Sequence, residues 1–543
     1  MQQGQSWRTF YSNFLCGAIL LLMAVPLWAQ SGGSAQFTDL KSYVSWMQKT
    51  HKAPFNLSGA VLPPGGAKAL LEAQGKTNAA SIANAAAAAR PYLNVKVNQD
   101  RNPWPKVDIA SAVDPSDPAG WLVMALDYRV NWSRMFYHVS TTRGKTWTDD
   151  MLVEGSDPNT GSIPMTFQIF PGLSFDDVGN SYFSALSQNA IVDFNNNYIN
   201  LDTEVDVTPG LSHGTYSSLI PTLIDNQPCS GMVTGSFVCN GTVNRPLNST
   251  DSNSGSPNAG TNYVYYAFYC NLPSGTCSDG TATIPSTGTA ILESHSSAPG
   301  EPYSAPALVS GSLTNTQYSD MVIDPSGTPH IFFNDYTNTP VINMWESTLS
   351  AGVWTVSKTP VVSFVYNGLT NPNWAFPDSG AAAPGCGIHG HTAYCAFSAN
   401  QVAGGNIEAT PSVYLATVNV NTGAATISRV NNDPFNDMKH HFFAWATTTP
   451  AGAVYVGWFD DRNDPANTNV QYFVGKSIDG GRTFHLQQAV NDVPFNPCNG
   501  FPGCEYFGDY DQLVSGPDGL VHAAWPDTRD GASMQIWSQT VLF

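Results

Sequence analysis

The chain has 543 residues, and 41 acidic against 22 basic residues give a formal net charge of −19. This acidity, without any cluster of lysine or arginine, argues against a nucleic-acid binder, which needs a positive face. An aromatic content of 12% excludes a disordered chain, while 47 glycines and 38 prolines favour β structure with tight connections.

The first 29 residues predict a secretory signal peptide. Arg8 provides a positive start, and the apolar run at residues 14–28 ends just before Ala29. The run is shorter than the roughly 20 residues that a membrane-spanning helix needs. We therefore expect a secreted, periplasmic or extracellular protein without a membrane span after cleavage. An uncleaved N-terminal anchor is the alternative.

Eight cysteines follow the signal peptide, and they fall into four close pairs. An even number in near neighbours predicts local disulfides in an oxidising compartment, although eight cysteines allow 105 pairings. Their spacings differ from those of structural zinc sites. The expected pairs are Cys229 with Cys239, Cys270 with Cys277, Cys386 with Cys395, and Cys498 with Cys504.

Residues 30–90 differ in pattern from the rest of the chain. Apolar residues recur here at nearly helical spacing, and an alanine run occupies residues 85–89. The pattern predicts a preface of two short helices joined by a linker around Pro63 and Pro64. A disordered pro-region or spacer is the alternative.

From residue 91 onward one pattern recurs: a turn, then a strand of alternating apolar and aromatic residues that often ends in Asp. Seven β repeats of about 60–80 residues predict an all-β propeller of seven four-stranded blades, numbered 1 to 7 along the chain. Six blades is the alternative, because the third repeat is the least regular. An immunoglobulin-like array would repeat nearer to 100 residues. The recurring strands are residues 121–129, 181–188, 263–271, 329–336, 392–399, 453–461 and 520–528.

The last repeat is one strand short of the others. Residues 92–99 alternate in the manner of a strand and precede the first repeat. We expect them to form the missing outer strand and to close the ring, which would remove two exposed sheet edges. The propeller domain is thus expected to span residues 91–543.

Two turns carry a resemblance to a known family. Residues 477–484 (SIDGGRTF) resemble the Asp-box of sialidase-like, or BNR-repeat, propellers, and residues 140–147 (STTRGKTW) are a copy with Thr142 in the Asp position. Residues 508–531 also look like the ends of secreted sialidase-like proteins. The resemblance implies a propeller that acts on or recognises glycans at the mouth of its central channel, on the face opposite the Asp-boxes.

The same resemblance suggests roles for residues near that mouth. It implies a tyrosine nucleophile activated by Glu, an Asp acid/base, and arginines that hold a substrate carboxylate. The three arginines each follow an Asp by two residues, so ion pairs between blades are the alternative. The catalytic candidates are Tyr510, Glu505, Asp320 and Asp509, with Tyr318 as a second candidate nucleophile. The substrate-binding candidates are Arg129, Arg462, Arg529, Tyr318 and His441.

The chain also departs from the family pattern. The Arg-Ile-Pro motif that supplies the first arginine of sialidases is missing, and residues 244–247 (NRPL) are the nearest string. The sequence therefore leaves two functions open: an exo-glycosidase, and a non-catalytic extracellular module that binds protein or polysaccharide. We expect a monomer whose partner is a glycan or polysaccharide, without a cofactor or a metal at the site. Calcium at the Asp-rich residues 460–464 or 527–530 is the structural ion considered.

Overall fold

The computed structural model describes residues 94–130, 133–152, 167–192, 198–209, 222–228, 240–297, 301–402, 404–531 and 533–543. These residues form an all-β propeller of seven blades, each built on a four-stranded antiparallel sheet. The predicted fold class is therefore confirmed, and the six-bladed alternative is wrong. The signal peptide, the helical preface, Cys229 and Cys239 lie outside the described residues.

Each blade is a meander of four main strands, here called A to D from the axis to the rim. The first strand of the domain is β1 (Val95–Lys96). Blade 1 contains β2 (Lys106–Val113), β3 (Trp121–Asp127), β4 (Arg134–Ser140) and β5 (Thr148–Met151); blade 2 contains β6 (Phe167–Phe175), β7 (Ser181–Val192), β8 (Tyr198–Pro209) and β9 (Thr222–Pro228). Blade 3 contains β10 (Gly241–Thr250), β11 (Asn262–Cys270), the added hairpin β12 (Thr276–Asp279) and β13 (Ala282–Pro285), then β14 (Thr289–Ser296) and β15 (Ala307–Leu308).

Blades 4 to 7 complete the ring. Blade 4 contains β16 (Thr316–Ile323), β17 (Pro329–Asp335), β18 (Val341–Ser350), β19 (Val353–Val356) and β20 (Val362–Val365), to which β23 (Gln401–Val402) adds an edge. Blade 5 contains β21 (Gly385–His389), β22 (Thr392–Ala399), β24 (Ser412–Asn419) and β25 (Ala424–Arg429). Blade 6 contains β26 (His441–Thr448), β27 (Val454–Asp460), β28 (Gln471–Ser477) and β29 (Leu486–Ala489); blade 7 contains β30 (Val514–Ser515), β31 (Val521–Asp527) and β32 (Gln535–Val541).

Blade 7 takes its outermost strand from the beginning of the domain. β1 pairs antiparallel with β32, with Val95 opposite Ser538. The pairing continues where the Val97 N–H donates to the Ile536 carbonyl at 2.9 Å. The side chain of Asn98 is fully buried and accepts a hydrogen bond from the Ile536 N–H at 2.9 Å. The first and last strands of the domain therefore belong to one sheet.

The hydrophobic core lies between neighbouring blades rather than along the axis. Phe332 and Phe364 of blade 4 pack against Phe397 of blade 5, and Trp458 of blade 6 packs in a cluster with Leu415 of blade 5. The B strands are buried on both faces, which explains their continuous apolar and aromatic sequences. Burying each large side chain stabilises the fold by about 1.5–3 kcal/mol.

The meander gives the propeller two distinct faces. The A–B and C–D turns lie on one, here called the A–B face, and the B–C and D–A connections lie on the other, the D–A face. Three disulfides pin local segments: Cys270–Cys277, Cys386–Cys395 and Cys498–Cys504. Within the described residues, no helix is long and apolar enough to cross a membrane.

The C–D turns of blades 6 and 1 have the same conformation. Gly480 and Gly481 have φ of +75° and +78°, and Arg143 and Gly144 take the same places at +56° and +77°. In both turns the hydroxyl of the first serine accepts the N–H of the second glycine position. The closing aromatic residue is buried in each, Phe484 in blade 6 and Trp147 in blade 1.

We expect Thr142→Asp to stabilise the blade 1 turn. In blade 6 Asp479 accepts the N–H groups of Arg482 and Thr483 and the Thr483 hydroxyl, and these bonds, with that from Ser477, outweigh burial and lower its pKa to about 2. A carboxylate at position 142 should add about 0.5–1 kcal/mol to the free energy of unfolding.

Urea denaturation of the Thr142→Asp variant measures this gain. Because the gain depends on an ionised carboxylate, it should be present at neutral pH and disappear as the pH falls toward 2. Asp479→Thr is the reciprocal control and should lose a similar amount. An unchanged or lower stability for Thr142→Asp at pH 7 would show that the two turns are not equivalent.

Candidate functional site

Five of the seven innermost strands carry a β-bulge at the same level. The pairing register shifts within β2, β6, β10, β16 and β26. The bulged residue in each has a positive φ of 49–59°, a conformation that costs energy for any residue other than glycine and is concentrated at functional sites. These residues are Asp108, Phe170, Arg245, Tyr318 and Phe443.

Side chains from several blades meet on the axis at this level. The Arg245 guanidinium of blade 3 lies 4.4 Å from the ring centre of Tyr318 in blade 4 and 5.1 Å from that of Tyr510 at the start of blade 7. The Tyr510 hydroxyl donates to the Pro171 carbonyl of blade 2 at 2.5 Å. We call this group the axial cluster; its members are Asp108, Arg245, Tyr318, Tyr506, Asp509 and Tyr510.

Two carboxyl groups of the axial cluster share one tyrosine. The Tyr506 hydroxyl lies 2.8 Å from an oxygen of Asp108 and 3.2 Å from an oxygen of Asp509. The Asp509 N–H also donates to Asp108 at 2.7 Å. Burial and the neighbouring charge of Asp509 raise the pKa of Asp108 to about 7. Asp108 can therefore carry a proton near neutral pH, as a general acid must.

Arg245 is the cation of the axial cluster. Its side chain is 6% exposed, and within the described residues its Nη1 atom has no hydrogen-bond partner. Burial alone would lower its pKa, but the negative charges of Asp509 and Asp108 outweigh burial and raise it. A buried, charged guanidinium with a free donor is costly unless an acceptor completes its hydrogen bonds.

The four catalytic candidates separate in the structure. Tyr510 and Asp509 belong to the axial cluster, but Glu505 is exposed, whereas Tyr510 is buried. Burial raises the pKa of Tyr510 well above its ordinary value, so its hydroxyl stays protonated. Asp320 lies further along its inner strand, where its carboxylate accepts the Tyr265 hydroxyl at 2.9 Å and the Cys386 N–H at 2.6 Å. Burial raises the pKa of Asp320 to about 7.

The three candidate arginines occupy equivalent places in different seams. Each pairs with the Asp two residues before it, at 2.6–2.7 Å, and with an Asp that follows the outermost strand of the preceding blade. Each guanidinium also lies over an aromatic ring of its own C strand. The structure therefore makes them ties between blades and does not assemble them into one clamp. The second partners are Asp100 for Arg129, Asp433 for Arg462 and Asp492 for Arg529.

His441 belongs to the same seam as Arg462. Its Nε2 lies 3.1 Å from Asp433 and 3.5 Å from Asp460, and its Nδ1 lies 2.9 Å from the Pro411 carbonyl. Burial opposes the charged imidazole, but Asp460 and Asp433 outweigh burial and raise the pKa of His441. The structure places His441 among the ties between blades 5 and 6, not with the axial cluster.

Removing one of these ties should destabilise the propeller. The Arg529 side chain is 2% exposed, so Arg529→Met leaves the carboxylates of Asp527 and Asp492 without their cation. Breaking a buried ion pair costs about 3–5 kcal/mol, and methionine preserves much of the packing on Trp537. Chemical denaturation measures the loss. Arg143→Met is the control, because its 44% exposed side chain pairs only at the surface with Asp518. Equal stability of the two variants would contradict the prediction.

Asp108 and Tyr506 are functional candidates that the sequence pattern did not indicate, and Arg245 lies in the string 244–247, which departs from the sialidase motif. One signal could have identified two of the bulges: Pro171 and Pro246 interrupt the innermost strands β6 and β10. Proline inside a strand is confined to sheet edges and bulges, and in each of these two edge strands it directly follows the residue of positive φ. Nothing similar marks Asp108, because alternation in its strand gives no sign of the register shift.

The acidic segments considered for calcium are held by donors from the protein. The Asp464 carboxylate accepts the N–H groups of Ala466, Thr468 and Asn469. Asp527 is engaged by Arg529. Among the described residues, no group of three or more His, Cys, Asp or Glu side chains is arranged to hold a metal ion.

The chain resembles solved propeller enzymes only distantly. No family model matches it, and no curated protein matches it. One similar structure is the Hadza microbial sialidase Hz136, at 13% identity and a TM-score of 0.40, covering 79% of this chain and 75% of that one. Another is the GH93 α-L-arabinofuranosidase of Fusarium graminearum in complex with arabinobiose. It has 11% identity and a TM-score of 0.41, and the match covers 82% of this chain and 97% of that one.

A third is the NanB sialidase from Streptococcus pneumoniae, at 11% identity and a TM-score of 0.38, covering 83% of this chain and 70% of that one. Identities and scores this low establish no family and assign no substrate or reaction to this chain. The chemistry of the axial cluster is therefore the basis for a function.

Proposed function

We propose that the axial cluster binds the terminal sugar of a glycan and that the protein is a secreted, sialidase-like exo-glycosidase. The observation that carries the proposal is Arg245: a buried guanidinium between two tyrosine rings, with a donor that has no partner in the described residues. A hydroxyl or carboxylate oxygen of a sugar would complete its hydrogen bonds. The flanking rings provide apolar surfaces for the sugar.

The carboxyl pair supplies the chemistry that glycoside hydrolysis needs. Asp108, whose pKa is raised to about 7, would protonate the oxygen of the leaving group. Asp509 would act as the second carboxylate, which supports the oxocarbenium-like transition state or the attacking group. This assignment gives Tyr510 and Tyr318 the role of walls and leaves Glu505 outside the reaction. Tyr318→Phe and Tyr510→Phe variants would test whether either hydroxyl takes part.

The turns of blades 1 and 6 support the resemblance to sialidase-like propellers, because they share one conformation and one hydrogen-bond pattern. The three disulfides support secretion into an oxidising compartment. Arg245 belongs to the string 244–247 (NRPL), the nearest match to the Arg-Ile-Pro motif, and its side chain lies on the axis.

Burial of the axial cluster favours the second candidate, a non-catalytic module that binds protein or polysaccharide. Asp108, Tyr318, Asp509 and Tyr510 are each no more than 2% exposed. A sugar could reach them only if covering segments move. The segment of Phe376 is one of these: a side chain at Gly380 would meet the Asp509 backbone at 2.6 Å, and the Phe376 ring centre lies 5.4 Å from that of Phe507.

A panel of fluorogenic glycosides with neutral, uronic acid and sialic acid sugars tests both candidates. The wild-type protein is compared with Arg245→Met, Asp108→Asn and the surface control Arg143→Met, and binding of the same sugars is measured by calorimetry. Turnover that Arg245→Met and Asp108→Asn abolish, but Arg143→Met does not, supports the enzyme. Turnover unaffected by both cluster variants would overturn the assignment. Binding without turnover that depends on Arg245 identifies the module.

A further inference from the structure

The A–B half of the central channel contains a cavity of about 540 Å³. All seven blades line it with the ends of their innermost strands and the turns that follow. It lies beyond the axial cluster: Asp320, Trp445 and Gln512 each stand two residues further along the chain than Tyr318, Phe443 and Tyr510. Its volume falls within the range of small-molecule sites, roughly 300–1,000 Å³.

One wall of the cavity is an aromatic side chain held in place by small residues. Trp445 lies 6.2 Å from the ring centre of Tyr510. A side chain at Gly385 would meet the Trp445 ring at 2.7 Å, and one at Gly387 would meet the Thr447 backbone at 2.9 Å. The two glycines of β21 therefore allow β26 to approach closely and fix the indole at the cavity wall.

The polar groups of the cavity are mostly uncharged. Asn248 is 5% exposed and donates from Nδ2 to the Tyr182 carbonyl at 3.0 Å, but its Oδ1 has no hydrogen-bond partner within the described residues. The lining residues include many serines and threonines and neither Lys nor Arg in the described part of the chain. Asp320 already accepts hydrogen bonds at both oxygens.

These features define the chemistry of a ligand. The lack of a cation on the lining disfavours anions, whereas an aromatic wall and a hydroxyl-rich lining suit a neutral polyhydroxyl compound. We propose that this cavity is a second binding site, which takes a neutral monosaccharide or disaccharide from the A–B face. The proposal concerns a different site and does not rest on the proposed function of the axial cluster.

Calorimetric titration with cellobiose, lactose and maltose tests the proposal on the full propeller. Thr447→Trp should fill the cavity and weaken binding at least 10-fold, and Trp445→Ala should weaken it about 10-fold through the lost aromatic wall. Arg245→Met removes the guanidinium of the axial cluster, so the sugar binding that persists in this variant belongs to the cavity. Thermal melting identifies the variants that fold.

Two results would overturn the second site. One is the absence of binding by the wild-type protein for all three sugars at 10 mM, a concentration about tenfold above a millimolar dissociation constant. The other is binding that Arg245→Met abolishes while Thr447→Trp and Trp445→Ala retain it, which would place the sugar in the axial cluster. Loss in either cavity variant with a wild-type melting temperature supports the proposal, even where the other variant does not fold.

Discussion

A chain that begins at Arg101 should have a free energy of unfolding on the order of 5 kcal/mol below that of a chain that begins at Pro91. The shorter chain lacks β1, so β32 loses its partner and becomes an exposed edge. It also loses buried Val97 from the core between blades 7 and 1, and Asp100, which pairs with Arg129 and Lys106.

Denaturant titration and light scattering of the two chains measure the effect of opening the ring. The chain from Pro91 is the matched control, because it keeps every described contact of β1. We expect the chain from Arg101 also to aggregate, since the free edge of β32 can pair with other molecules. Equal unfolding midpoints and monodisperse solutions for both chains would show that β1 contributes little to closure.

Asp108→Asn should reduce turnover of a responsive glycoside by about 100-fold or more, because asparagine cannot deliver a proton to the leaving group. The residue keeps nearly the same shape, and its side-chain oxygen can still accept the Asp509 N–H. The wild-type kcat should fall on the basic limb of its pH profile near pH 7, where Asp108 loses its proton. An unchanged profile in Asp108→Asn would assign the acid to another group.

The same substitution should stabilise the protein at high pH. The pKa of Asp108 is raised in the folded state. Its contribution to the free energy of unfolding is therefore complete below about pH 4 and is lost as the pH rises through 7. Asparagine does not ionise. The free energy of unfolding of Asp108→Asn should therefore be about 2–4 kcal/mol higher than that of the wild type at pH 8 and equal to it near pH 4. Urea denaturation at pH 4 and pH 8 measures this difference. An equal loss of stability between the two pH values in the wild type and in Asp108→Asn would contradict the prediction.

The blade count was predictable because one physical requirement repeats. Each B strand is covered on both faces, so sequences such as that of β27 (Val454–Asp460) are apolar or aromatic at nearly every position. The turns that precede these strands use Asp, Pro and Gly for the same geometric reason in successive blades. The irregular third repeat is explained by the hairpin of β12 and β13, which is inserted between its B and C strands.

The axial cluster was predictable only in part because bulges decide which side chains reach the axis. Tyr318, Asp509 and Tyr510 could be placed near the channel from their position at the beginning of innermost strands. The direction of the Tyr318 side chain, and that of Asp108 at the equivalent bulge of β2, could not be predicted, because a single extra residue changes the face to which a strand directs its side chains. The sequence around the arginines that follow the B strands is compatible with a carboxylate clamp and with ion pairs between blades. Only the contact with an acidic residue of the preceding blade distinguishes the two.

The position of β1 also sets an orientation. Asn94 and Gln539 are in hydrogen-bond contact, so the domain begins beside the strand on which it ends. Because β32 runs toward the A–B face, the antiparallel β1 runs toward the D–A face, and Asn94 contacts Val490 and Asp492 of blade 6. A support coupled at Asn94 would therefore hold the ring by its outer edge, at the boundary between its last two blades.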